Sequence, residues 1–302
     1  VIVLNERKQH VLAAARRLFL ENGFLHTSIQ NILDEAGISK GTFYNYFSSK
    51  NECLIEIIRQ SWEESAILRN EIAAGRPDGP EVMGEQILIR LRLNREQNLL
   101  PLFDAILSSG DEELREFMKK IHLSELAWSE SRIVEVYGEW TRPFAADAAV
   151  LQFGMLSQFL RFSAILNIKE DFPVIISFIL RRLEVLLRDM ADHNEWLIPP
   201  GRFAAPGASP PPPPVSETAE RLCRLAGSLN GEKRKTGEEY AEFLSGELRS
   251  GLPRLMIIRT IAGPFRKLFE GTPLESEARS IMRDVWQTVR QKTEQPKEDA
   301  AE

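Results

Sequence analysis

One stretch, residues 26–50, HTSIQNILDEAGISKGTFYNYFSSK, limits what this chain can fold into more than any other. Thr27 and Gln30 stand three residues apart, the spacing of a capping box that satisfies the free backbone donors of a helix start, so a helix is expected from Ser28. Ile29, Ile32 and Leu33 fall on one face of it, and Gly37 supplies the left-handed residue that commonly ends a helix. Ser39 is a good N-cap for a second short helix through Lys40, Gly41, Thr42, Phe43 and Tyr44. Two short helices joined by a tight Gly-containing turn make a helix-turn-helix. Upstream, Asn5 can cap a helix with Val11, Leu12, Ala15, Leu18 and Phe19 on one face, closed by Asn22-Gly23. Downstream, Ser49 with Glu52 is a second capping box, and Leu54, Ile57, Ile58, Trp62 and Ile67 carry a long helix toward Ala74, joining the first domain to the next.

An inert helical hairpin would turn apolar residues inward and charge outward. Here Ser39, Lys40, Thr42, Tyr44 and Tyr46, all hydrogen-bond donors, occupy the outer side, while Phe43 and Phe47 suit the core. Hydroxyls and helix N-terminal amides bind phosphate, and the start of a recognition helix reaches base edges.

The run from Thr27 through Ala36-Gly37-Ile38-Ser39-Lys40-Gly41-Thr42-Phe43-Tyr44 to Phe47 and Lys50 resembles the DNA-binding signature of the TetR (tetracycline-repressor) family of bacterial transcriptional regulators. The resemblance implies that the second short helix enters the major groove, with Thr27, Ser28, Ser39, Lys40, Gly41, Thr42, Tyr44 and Tyr46 at double-stranded operator DNA and Lys50 on a phosphate. The chain departs from the family pattern at Tyr46, where His is common, and at Leu33, where a small Ala is common.

The formal net charge of −6 argues against binding by bulk electrostatics. The acid lies away from the motif: residues 1–60 hold seven Lys/Arg against six Asp/Glu, residues 61–215 hold 16 against 23, and residues 216–302 hold 15 of each. DNA affinity is therefore expected to rest on few phosphate contacts. Cys53 and Cys223 are too few and too far apart for a disulfide framework, and no charged start with an apolar run marks a signal peptide, so a cytoplasmic protein is expected. The most apolar stretch, residues 144–168, contains Asp147, Gln152, Gln158 and Arg161. It reads as a helix buried on nearly all sides, not as a membrane span.

After a break at residues 75–80, only helical periodicity is present, and the fold class is all-α. Helices are expected over 82–98, 100–107, 111–137, 145–168 and 172–190, separated by turn signals. In the last, Ile175, Ile179, Leu183, Leu186 and Met190 make a stripe widened by Val174, Phe178 and Leu187. The final two carry more apolar surface than one small core needs, as a dimer interface would. In the TetR family the corresponding pair forms a four-helix bundle across a two-fold axis. The same region, which holds a small effector in family members, offers Phe103, Phe117, Met118, His122, Trp128, Phe159 and Phe162 for a pocket. The effector expected there is small and apolar or amphipathic.

Residues 194–215, with five consecutive prolines, read as a linker, and four more helices are expected at 216–229, 236–249, 253–270 and 273–292, two opened by capping boxes at Thr236 and Thr272. Gly263-Pro264 should kink or split the third. The resulting domains are a helix-turn-helix domain (1–48), an effector-binding and dimerisation domain (49–193), the linker, a C-terminal extension (216–294) outside the resemblance, and a disordered tail (295–302).

Nothing points to catalysis, a metal or a cofactor. His10, His26, His122 and His193 are scattered, and glycine-loop, zinc and nucleophile-elbow spacings are missing. The expected function is a homodimeric repressor released from a palindromic operator by an effector. The alternative is a protein that binds and organises DNA without one.

Overall fold

The computed structural model describes residues 2–99, 102–103, 106, 109–168, 171–203 and 212–294. Among these residues the chain is all-α, with twelve α-helices and no strand. They are α1 Ile2–Asn22, α2 Ile29–Ala36, α3 Lys40–Tyr44, α4 Lys50–Ala73, α5 Pro80–Glu96, α6 Glu112–Tyr137, α7 Ala145–Ile165, α8 Phe172–His193, α9 Val215–Gly227, α10 Gly231–Arg249, α11 Leu255–Lys267 and α12 Glu275–Glu294. The helix expected over 100–107 lies partly outside the described residues, and the tail from 295 wholly so.

The chain forms two compact units, one of Val1–Gly75 with Pro210–Glu302 and one of Arg76–Ser209. The first unites α1–α4 with α9–α12. Ile67 of α4 and Ala74, just past its end, are buried in the same core as Leu222, Leu244, Ile258, Phe265, Ile281 and Trp286. Thus α4 is buried along both halves: Cys53, Leu54, Ile57 and Ile58 lie on the first, and Ile67 with Ala74 joins the C-terminal helices. The long helix does not carry on into the following unit, as a joining helix would. It ends at Ala73, and the chain leaves through Gly75 at φ +69°, a left-handed conformation that a side chain would strain.

Glu71 of α4 is half-buried beside α11, and its buried Oε1 has no hydrogen-bond partner. Burial raises its carboxyl above the usual range and Glu64 adds to this, while Arg266 and Lys267 oppose it. A carboxyl raised in the folded state contributes stability below its unfolded value of about 4.3, and that contribution is lost as pH rises through the folded value. Glu71→Gln is therefore expected to raise the melting temperature at pH 8 and to change it little at pH 4, as read by thermal unfolding across pH.

The second unit packs α5–α8 around Met83, Ile87, Ile133, Ile176, Leu180, Leu183 and Leu187, with the alanines 145, 146, 148 and 149 allowing α7 to approach closely. Ser129 donates to Gln152 at 3.0 Å inside it. Two expectations change here. Helix α7 is buried only along its first half and at Gln152 and Ser163; Phe162, Ile165 and Leu166 stand in the open, Ile165 at 71% exposure. Its composition alone would let it cross a membrane. The stretch read as the start of a linker is seated on this unit: Leu197 and Ile198 donate their amides to Asp147, Gly201 donates to Glu130, and Phe203 is buried.

In the C-terminal helices, Thr236 does not cap α10, which starts at Gly231. The Thr236 hydroxyl turns back to the Glu232 carbonyl within the helix instead. Pro264 sits inside a continuous α11 without splitting it.

Candidate nucleic-acid interface

The geometry of the motif begins one residue later than the capping pattern predicts. Ser28, not Thr27, is the N-cap of α2: its hydroxyl accepts from the Asn31 amide, and the Asn31 side chain accepts from the Ser28 amide at 2.8 Å. Thr27 is 2% exposed, and its hydroxyl donates to the carbonyls of Leu18 and Gly23 at the end of α1. Both residues can cap by type, and burial of the Thr27 methyl decides between them. Thr27 thus holds α1 to α2 and presents no side chain outward. Gln30, freed from capping, donates to Asp34 instead.

At the other end of α2, Gly37 at φ +61° closes the helix, and Ile38 donates its amide to the Leu33 carbonyl, so the chain reverses within three residues. Ile32, Leu33 and Ala36 are buried beneath. Ser39 then caps α3, accepting from the Thr42 amide at 3.2 Å, and the two hydroxyls bond at 2.9 Å. Phe43 is fully buried and meets Phe47 at 5.7 Å and Tyr44 edge-on at 5.5 Å. The interior therefore fixes the rotation of α3. Ser28, Ser39, Lys40, Gly41 and Tyr44 lie exposed, with Thr42 and Tyr46 half-buried beside them. This surface offers hydroxyls, an ammonium and helix N-terminal amides, the groups that meet phosphate and base edges.

Lys50 departs from the expected phosphate role. Its ammonium donates to the carbonyls of Phe24 and Thr27 at 2.8 Å each, reaches that of Leu25 at 3.5 Å, and stands 4.5 Å from the centre of the Phe24 ring. Burial lowers its pKa. Lys50 gathers the turn between α1 and α2 onto the start of α4, a role for which the sequence carries no local signal. Asn31, the true capping partner, was equally hidden by the Thr27–Gln30 pattern.

The residues expected at an effector pocket differ in their exposure. Phe159 and Phe162 are exposed on α7, and Phe159 meets Phe178 of α8 edge-on at 5.7 Å. His122 is exposed against Phe153; Phe103, Phe117, Met118 and Trp128 are half-buried. A cleft of about 340 Å³ lies elsewhere in this unit, between α5 and α8, lined by Gly84, Leu88, Ile176 and Leu180 with Glu81, Ser177 and Arg181 among its polar groups.

Residues 11–57 match the family described as bacterial regulatory proteins, tetR family. The chain is 25% identical over 290 residues to an uncharacterized HTH-type transcriptional regulator, YuxN of Bacillus subtilis, covering 92% of this chain and 97% of that one. The match therefore runs through the C-terminal helices as well. It is 28% identical to a second such regulator, YerO of the same organism, over 62% of this chain and 67% of that one. Over 56 residues, 18% of this chain and 28% of the other, it is 38% identical to the HTH-type transcriptional repressor KstR2 of Mycobacterium tuberculosis.

Proposed function

Because the chain is a TetR-family DNA-binding transcriptional regulator, we propose that it acts in the cytoplasm as a homodimeric repressor, released from a palindromic operator by a small apolar or amphipathic effector. The observation that carries this reading is the exposed donor surface of α2 and α3, held in place by a fully buried Phe43. Ser28, Ser39, Lys40, Gly41, Thr42, Tyr44 and Tyr46 are its contact residues. A recognition helix of five residues reads only a few base pairs, so two copies are needed for specificity. The open apolar face of α7 and α8, with Phe159, Phe162, Val174, Phe178 and Val185, supports joining them there. Repression is favoured by the name of KstR2.

The cleft between α5 and α8 is of a size that suits a small ligand, with apolar walls and few polar groups. An effector acts only through its differential affinity for free and operator-bound protein. A hundredfold loss of operator affinity corresponds to about 2.7 kcal/mol of coupling, and operator DNA must weaken effector binding by the same factor. Calorimetry of apolar and amphipathic compounds against both forms tests this. The expected result is a ligand bound about a hundredfold more weakly by the operator complex. Equal affinity for both forms would leave a constitutive DNA-binding protein, the competing reading.

A further inference from the structure

Glu64 stands in the middle of α4, and basic side chains from three other helices converge on it. Arg266 of α11 approaches Oε1 at 3.4 Å and Arg279 of α12 approaches Oε2 at 3.8 Å. Burial lowers the pKa of half-buried Arg16 of α1, and the charge of the same carboxylate opposes that shift. Next to it, Glu63 pairs with Arg283 of α12 at 2.8 Å. At the far end of α4, Arg259 of α11 donates to the Ala74 carbonyl at 3.4 Å. Met256 lies so close to Gly75 that an added Cβ would stand 2.9 Å from its Cγ. With Ile67 and Ala74 in the core of the C-terminal helices, α4 is gripped along its second half.

We propose that the C-terminal four helices are part of the DNA-reading body, and that Glu64 is a positioning residue that sets the tilt of α4 against α1, α11 and α12. The recognition helix α3 is joined to α4 by residues 45–49, and Lys50 at the first position of α4 holds the turn that precedes α2. A change in the angle of α4 is therefore delivered to α2 and α3 directly. Hydrogen bonds to base edges weaken steeply with misalignment, so a small rotation is enough to lose them. Glu64 faces arginines from three helices; Glu275 also stands 3.9 Å from Arg279 and Glu71 also acts on Arg266, but loss of the Glu64 charge still leaves less negative charge to balance the cations at the joint between the DNA-binding helices and the bundle.

The test uses the full chain and a DNA fragment selected by the wild-type protein. Glu64→Gln keeps the shape and removes the charge. It is expected to remain a folded dimer, to bind the fragment at least tenfold more weakly, and to exchange amide hydrogens faster over residues 28–47. Glu63→Arg is expected to weaken binding, and adding Arg283→Glu, which reverses the pair, to restore it. The proposal is overturned if Glu64→Gln loosens α11 and α12 in exchange while operator affinity and residues 28–47 stay unchanged. It is also overturned if the reversed pair recovers nothing. Should Glu64→Gln not fold, the reversed pair decides alone. The proposal rests on DNA binding through α2 and α3: wild-type protein that selects no DNA removes that premise, whereas unaffected variants of a DNA-binding wild type overturn only the role of the bundle.

Discussion

Phe178→Asp is expected to give a folded monomer that has lost most of its operator affinity. Phe178 is 37% exposed, packs edge-on against Phe159, and lies under the Arg182 guanidinium at 3.7 Å from the ring centre. Within one protomer an aspartate there stays in contact with water and stands one turn from Arg182, an arrangement that suits a helix. Across a two-fold interface it would place a poorly compensated charge among apolar side chains, at a cost on the order of 3–5 kcal/mol. A loss of that size raises the dimer dissociation constant by more than a hundredfold. Sedimentation velocity reads the mass and circular dichroism the fold. An unchanged dimer would place the interface elsewhere. Leu187, on the same helix, is not a substitute for this test: it is 0% exposed inside its own protomer, so its replacement removes core.

Lys50→Ala is expected to act through stability instead of through one lost phosphate contact. The ammonium satisfies two carbonyls at 2.8 Å, and hydrogen bonds to a charged group contribute about 1.5–3 kcal/mol each, less where water competes. Removing it should lower the stability of the DNA-binding helices by about 2 kcal/mol and weaken binding to all sequences alike. Thr42→Ala touches only the exposed hydroxyl pair with Ser39, so it should leave the melting curve nearly in place and change base preference at one or two positions. Thermal unfolding beside a comparison of selected sequences separates the two. A Lys50→Ala protein with unaltered melting and a salt slope reduced by one would restore the phosphate role.

The contrast between these two lysine and threonine positions shows where local pattern is informative. Caps, the left-handed Gly37 and the 3.6-residue periodicity are properties of a few neighbouring residues, so the helix-turn-helix and the all-α class were legible directly. Whether Thr27 or Ser28 caps α2 depends on which of the two side chains is buried, and it is Thr27. Where the Lys50 ammonium ends depends on carbonyls 23 to 26 residues away. Neither is written in a short window. Helix α7 carries the same apolar composition whether it is enclosed in one protomer or shared with another, so its open second half could not be read from hydropathy.

The union of α4 with the C-terminal helices is the most distant case. Glu63, Glu64 and Glu71 find their cationic partners about 200 residues along the chain. A local reading of α4 registers an ordinary amphipathic helix with acid on its outer side. Only packing reveals that this side is covered.

The proposed function requires that two copies of the α2–α3 surface read DNA together. Selection from randomised DNA with the purified full chain, followed by footprinting, tests it most directly. Two inverted half-sites are expected, their centres about one helical turn, ~34 Å, apart or a multiple of that distance. Enrichment of a single unrepeated site, protected at the same protein concentration as any longer fragment, would contradict it.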